Sequence, residues 1–266
     1  MADKVTSIHA GHRERIRERL RTAGLSAFSE HEVLELLLTY AIPRQDVNPL
    51  AHELIATFGS LSAVLDADES ELMRVRGMGK NAALLLTMMP QLMRRYQLSS
   101  LGDRPVITTL AEARAYCAPL FIGANEENIY MICLDQAGHV IHRTLLYTGT
   151  IDQVPLYPRI VVEIALRHHA HAVILAHNHP SGVVEASQAD LDITQRVGTA
   201  LHMIGIKLVD HLIFSGSTAF SVMRRCMMDS GIGELCYVRN MAADSANALR
   251  EEQYEWIAFA PQDEQI

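Results

Sequence analysis

His177 and His179 stand two residues apart at the end of the apolar run 172–176 (AVILA), with Ser187 and Asp190 a short loop further on. In an extended strand alternate side chains point to one side, so the two imidazoles project together and can offer two ligands to one ion. Pro180 and Gly182 turn the chain back. Ser187 and Asp190, spaced i,i+3 where a helix is expected to begin, share a face that this loop can fold over the histidines. Two imidazoles and a carboxylate make three protein ligands. For tetrahedral Zn²⁺ that leaves one position for water, the arrangement of a catalytic site as opposed to a closed structural one. Taken singly, each part has an ordinary explanation: H-x-H pairs are common on surfaces and in cores, and Ser187-x-x-Asp190 before Leu191 and Ile193 is also a helix-capping box. Their combination points to a metal, and the cap does not compete with it, because a Ser at a helix start can still face a bound substrate.

The elements that must position these residues follow from periodicity. Residues 129–134 (IYMICL) and 140–146 (VIHRTLL) are expected strands joined by a turn at 135–138, and 172–176 is a short, fully apolar strand. Pro158 suits the first turn of a helix over 160–166. A helix over 187–203, strands at 207–214 and 219–222, and a capping box at Thr109-x-x-Glu112 complete the set. Strands mixed with helices on one sheet give an α/β fold, a mixed β-sheet flanked by helices. Residues 97–105 (QLSSLGDRP) lack periodic apolar positions and mark a boundary. Ahead of it the chain is helical throughout: a charged arm at 13–21, a helix opened by the capping box Ser29-x-x-Glu32, another from about Asp46 to Gly59 with Asp46 or Asn48 as cap, short helices at 60–67 and 69–75, and a long one at 80–96 that Pro90 should bend. The expected organisation is an all-α domain at 1–97, a linker at 98–105, a metal-binding domain at 106–225 and a polar tail at 226–266 with a helix near 244–257.

The chain has 266 residues, is 49% hydrophobic and 20% charged, and carries a formal charge of −8. This composition excludes a largely disordered chain. The net charge argues against nucleic-acid binding through the whole-molecule field. Residues 1–100 hold 12 Lys+Arg and 12 Asp+Glu, so the negative excess lies in the remainder and any nucleic-acid contact belongs to the first part. The charged N-terminus and the absence of an apolar run of about 18 residues lead us to expect a cytoplasmic protein with no membrane segment. Cys117, Cys133, Cys226 and Cys236 form no CxxC pair and are expected as reduced thiols.

Within the first part, Arg76-Gly77-Met78-Gly79-Lys80 links two expected helices. Two glycines allow positive φ and leave the next helix's free N–H groups uncovered, the geometry that holds a phosphate, with Arg74, Arg76 and Lys80 adding charge. The same G-x-G spacing also makes a compact connector. The spacing resembles a helix-hairpin-helix, which binds the DNA backbone without reading sequence. Arg76, Gly77, Gly79 and Lys80 are therefore the candidate DNA contacts, and a single hairpin in a neutral domain would bind weakly.

H-x-H-P followed by S-x-x-D resembles the JAMM motif of MPN-type zinc hydrolases, and HNHPSG is similar to the RadC family in particular. The flanking AVILA, Gly149-Thr150, Pro158-Arg159 and Asp210-His211 before Leu212-Ile213 match as well, so the resemblance spans residues 12–225. Ala186 departs from the family's frequent Pro before the motif Ser, a loss of loop rigidity but of no ligand. The resemblance implies that His177, His179 and Asp190 bind Zn²⁺, that Ser187 stabilises the oxyanion of a tetrahedral intermediate, and that an upstream Glu exchanges protons with water during hydrolysis of a peptide or isopeptide amide. That Glu should lie just before the first strand. Glu127 is our choice, and because side chains alternate along extended backbone only one of Glu126 and Glu127 can face the metal. Glu163, in the 160–166 helix, is expected on the surface.

A zinc deaminase is excluded by the absence of P-C-x-x-C. The competing reading is a DNA-associated accessory or repair-related protein, with the hairpin binding DNA and the metal domain acting in recognition or as a nuclease. His168, His169 and His171 are expected to serve a helix end, His139 and His142 an exposed strand, and Asp210-His211 to form a hydrogen-bonded structural pair.

Overall fold

The computed structural model describes residues 6–149, 156–229 and 233–235. The chain divides into two compact units, Met1–Met93 and Arg94–Ile266. The first holds helices α1 (Thr6–Ala23), α2 (Glu30–Ala41), α3 (Asn48–Phe58), α4 (Leu61–Asp66) and α5 (Glu69–Leu72), and α6 (Lys80–Ser100) begins in it. Its core is aliphatic, with Leu34, Leu38, Leu54, Val64, Leu72 and Leu86 fully buried.

Local signals set these boundaries. The Ser29 capping box forms as expected, with the Glu32 carboxylate accepting from the Ser29 N–H at 2.9 Å. Ser60 Oγ accepts from Ala63 N, and Gly59 ends α3 at φ 92°, a conformation that favours glycine. The start of α3 differs: Val47 occupies the cap position, and Asp46 Oδ1 accepts from Asn48 N. Nor is α1 a solvated arm. Ile16 is buried, and Arg13 donates to the carbonyls of Thr39, Ile42 and Gln45, groups at and beyond the end of α2 that have no helical donor. The alternating charges of α1 hid this docking function. α6 continues to Ser100, so the first residues of the expected linker are helical, and Pro90 sits inside the helix. Among the described residues no helix is long and apolar enough to cross a membrane.

The second unit is α7 (Leu110–Cys117), β1 (Asn128–Leu134), β2 (Val140–Thr148), α8 (Pro158–Arg167), β3 (Ala172–Asn178), α9 (Gln188–His202), β4 (Lys207–Ser215), β5 (Thr218–Ser221), β6 (Cys226–Asp229) and β7 (Gly233–Leu235). The strands form one mixed sheet in the order β2-β1-β3-β4-β5-β6-β7, with β3 and β4 parallel and the other neighbours antiparallel. β6 and β7 open the stretch expected as a polar tail at 226–266, and β7 is a strand where an irregular chain was expected beyond Met228. The helix expected near 244–257 and Cys236 lie outside the described residues.

Both faces of the sheet are covered, which is why β3 reads as an unbroken apolar run. Ile132, Leu134, Ile174 and Ala176 pack with Leu110 and Ala113 of α7. Ile129, Met131, Val173 and Leu175 pack on the other face with Val161 and Ala165 of α8 and Ile193, Val197 and Leu201 of α9. Burying each of Val173, Ile174 and Leu175 contributes about 1.5–3 kcal/mol. That fixes the register, because a one-residue slip would exchange the faces and pull His177 off its side. The 173, 175, 177 alternation thereby aims His177 at α9.

A second local feature matters for the site. Val173 pairs with Leu208 but Ile174 pairs with Asp210, so Val209 is an extra residue in β4. Leu208 packs on the α8/α9 side. Without the bulge Asp210 would follow it there. With it, His211 faces α9 and Asp210 the other side.

Candidate metal centre

β3 delivers His177 at its end, and the His179 N–H donates to Phe214 O at 2.7 Å, carrying the pairing with β4 one residue past β3. The two rings therefore fall on one side, with Nε2 to Nε2 at 2.8 Å. α9 brings the third group: Asp190 Oδ1 lies 3.2 Å from His177 Nε2, and Oδ2 3.5 Å from His179 Nε2. Among the described residues these three are the group able to hold a metal, their ligand atoms all within 4.8 Å of one another. His177 and Asp190 are fully buried, whereas the His179 side chain keeps 12% exposure, so the centre opens on its side.

The hydrogen bonds show what the centre lacks. Asp190 Oδ2 accepts from Ser187 N at 2.8 Å and Ser187 Oγ at 2.6 Å, and Ser187 Oγ accepts in turn from Asp190 N at 3.2 Å, the full capping box. Asp190 Oδ1 is buried and makes no hydrogen bond. An unsatisfied buried carboxylate oxygen is costly, and this one faces an imidazole nitrogen. His179 Nδ1 lies 2.7 Å from Val183 O, which can only accept, so its hydrogen sits on Nδ1 and the neutral ring turns a lone pair inward from Nε2. An N₂O donor set with one orphaned anionic oxygen fits a divalent cation such as zinc.

Burial opposes ionisation of Asp190, yet the imidazoles of His177 and His179 and the Ser187 hydroxyl outweigh it and hold the carboxyl well below its usual range. Burial lowers His177, while contact with Asp190 raises the more open His179. The negative charge of Glu127 also favours protonation of both rings. Glu127 is half-buried and Glu126 exposed. Their backbone is held from β3: Asn178 Oδ1 accepts from Asn128 N at 2.8 Å, and Asn178 Nδ2 donates to Glu126 O at 3.0 Å. Gly149 N donates to Glu127 O at 2.8 Å. Asn178, buried between the two histidines in sequence, thus spans the segment that carries the candidate base.

Residues 107–227 match the family model of the RadC-like JAB domain, and residues 9–84 that of the UPF0758 N-terminal region. A UPF0758 protein of Ruegeria pomeroyi is 39% identical over 210 residues, covering 79% of this chain and 94% of that protein. The chain belongs to the RadC family. Its second unit is a domain of JAMM/MPN type, a class that is often hydrolytic.

In this RadC-family chain, the structure also recruits residues that spacing did not single out. His211 and Asp210 are hydrogen-bonded as expected, but only through the His211 N–H to Asp210 Oδ1 at 2.7 Å; the ring turns away, with Nε2 2.8 Å from His177 Nδ1 and Nδ1 2.6 Å from Thr194 Oγ1. Burial pushes its pKa down to about 3. Asp210 also accepts from Ser221 Oγ at 2.6 Å and from the backbone N–H of Met223. The bulge at Val209 was the missing signal.

Other expected residues stay apart from the centre. Glu163 is exposed on α8 and pairs with Arg167 at 2.5 Å. His142 and His168 stack at 3.6 Å, and His139 contacts Asp135. Arg76, Gly77 and Gly79, between α5 and α6, and Lys80, the first residue of α6, are all exposed. Of the two glycines only Gly77 takes positive φ, at 95°, so one residue makes the turn that two were expected to share. Cys117 and Cys133 are buried free thiols, and burial raises both.

Proposed function

We propose that this RadC-family protein is a zinc-dependent hydrolase in which an activated water attacks a peptide or isopeptide amide. The observation that carries the reading is the convergence of two inward-facing imidazoles on a buried carboxylate whose Oδ1 has no hydrogen-bond partner. His177 Nε2, His179 Nε2 and Asp190 would hold the ion. Zinc, when bound, supplies Lewis acidity toward a carbonyl and makes water acidic enough to ionise near neutral pH.

The chain's own residues supply the remainder. Glu127 takes a proton from the attacking water and delivers it to the amide nitrogen as the C–N bond breaks, so the amine leaves protonated by the water's own hydrogen and the carboxylate end is released. Ser187 donates to the developing oxyanion by swinging its hydroxyl from Asp190 Oδ2, which keeps the Ser187 N–H at 2.8 Å while the hydroxyl is away. The partial exposure of His179 gives a protein or peptide substrate its way in. The test is cleavage of model peptide and isopeptide substrates by the zinc-loaded full chain. Turnover that disappears in Glu127→Gln while zinc content is unchanged supports the reading, and a wild-type chain that holds zinc but cleaves no amide opposes it.

DNA binding through residues 76–80 is a separate proposal, supported by the exposure of Arg76 and Lys80 beside an open turn. Salt-dependent duplex binding that is lost in Lys80→Glu is the expected result, and equal binding by both proteins would dismiss it.

A further inference from the structure

His177 can bind a metal through Nε2 only if its ring hydrogen sits on Nδ1, because each neutral imidazole carries one N–H. His179 has this settled by the Val183 carbonyl. For His177 the partner at Nδ1 is another imidazole, which can donate or accept, so the answer must come from further along the chain of contacts.

Thr194 Oγ1 sits 2.5 Å from Asp190 O and 2.6 Å from His211 Nδ1. The carbonyl can only accept, so the hydroxyl hydrogen goes to Asp190 O and the hydroxyl oxygen takes the Nδ1–H of His211. His211 Nε2 is then an acceptor and takes the Nδ1–H of His177, which leaves the His177 Nε2 lone pair facing Asp190 and His179. Reversing every bond would place a hydrogen on His177 Nε2, pointing into the centre where a cation must sit. Thr194 is 5% exposed, His211 1% and His177 0%, so water does not compete for these groups.

We infer that His211 and Thr194 are positioning residues that lock His177 in the tautomer able to bind metal, with the Asp190 main-chain carbonyl fixing the direction of the chain. The inference rests on the zinc reading above and deepens it. α9 supplies both ends of this circuit, the Asp190 carbonyl that sets its polarity and the Asp190 carboxylate that shares the ion. The Val209 bulge is what aims His211 into it.

Zinc affinity of the full chain, measured by chelator competition, separates this role from simple packing. His211→Leu removes the acceptor and should weaken zinc about 10–100-fold, the usual cost of losing a group that orients a metal-binding histidine. His211→Gln puts an amide oxygen near the place of Nε2 and should stay within about threefold of wild type. Thr194→Val should weaken zinc about tenfold and Thr194→Ser restore it. Equal losses in the Leu and Gln variants, or an unchanged Thr194→Val, would overturn the lock. If His211→Leu does not fold, the Thr194 pair decides. Long-range ¹H–¹⁵N spectra of the metal-free protein give a readout independent of zinc: hydrogen on Nδ1 of both His177 and His211 supports the lock, and hydrogen on His211 Nε2 overturns it. A wild-type chain that binds no zinc sinks the hydrolase reading, and the spectra still decide the tautomer.

Discussion

Two buried carboxylates, one in each unit, stand beside histidines, and they differ in how completely they are satisfied. Glu35 is 2% exposed; its Oε1 meets His12 Nε2 at 2.7 Å and its Oε2 accepts from Asn48 Nδ2 at 2.9 Å. Both oxygens are used, and the result ties α1, α2 and the start of α3 together. Asp190 is 0% exposed, yet only Oδ2 is used, by two groups of Ser187, while Oδ1 accepts nothing. A fully bonded carboxylate is a clamp. One left with an unpaired oxygen carries an unfavourable free energy of about 1–3 kcal/mol or more, which a cation placed between it and two imidazole lone pairs would relieve. Residue type and a neighbouring histidine do not separate the two cases. The hydrogen-bond inventory does.

That contrast can be pressed by substitution. Glu127→Gln touches neither carboxylate and should lower amide turnover about 10²–10⁴-fold, measured in steady-state assays, with zinc affinity unchanged. Glu35→Ala should do the opposite. It leaves zinc affinity and turnover as they were but lowers the unfolding free energy by about 2–4 kcal/mol in urea titrations, because a buried hydrogen-bonded network loses its centre and leaves its partners unsatisfied.

A third buried carboxylate sharpens the point through pH. Burial pushes Asp210 up to about 6 against the bonds from Ser221 and two backbone N–H groups. The folded state therefore binds its proton more tightly than the unfolded chain does. The resulting stability is fully present below the unfolded carboxyl value of about 3.9 and is lost as pH rises through about 6, a change of about 3 kcal/mol. Asp210→Asn should flatten that part of the stability profile relative to wild type.

The smallest effect belongs to Asn178. Asn178→Ala frees the 126–128 backbone and should reduce turnover about tenfold, equivalent to about 1.4 kcal/mol, without changing zinc affinity. A loss of zinc in that variant would mean that Asn178 holds the ligands and not the base.

The legible part of the site was the part set by regular periods. Strand alternation placed His177 and His179 on one side, and the i,i+3 spacing of a capped helix start placed Ser187 with Asp190; both regularities survive folding because burial of Val173, Ile174 and Leu175 pins β3. His211 was noticed but assigned to Asp210 and not to the site, because one extra residue, Val209, reverses the face of everything after it, and a bulge leaves no period to read. Thr194 escaped notice for a different reason. A Thr one turn along a helix is ordinary until a specific partner stands opposite. The fold behaved alike: capping boxes at Ser29 and Thr109 and the 135–138 turn announced their elements, whereas the docking of α1 depends on Arg13 reaching carbonyls some 30 residues away, and β6 and β7 arise from pairing, with β5 and with β6 respectively, more than from their own pattern.

Zinc binding by the full chain beside Asp190→Asn, with the unfolding temperature of both metal-free proteins recorded, tests the central claim most directly. One ion per wild-type chain, an affinity at least about a hundredfold weaker in the variant and closely similar metal-free stability are expected, because the substitution removes a ligand charge but keeps a capping oxygen. Equal zinc affinity in the two proteins, or no zinc in a folded wild type, would contradict the account.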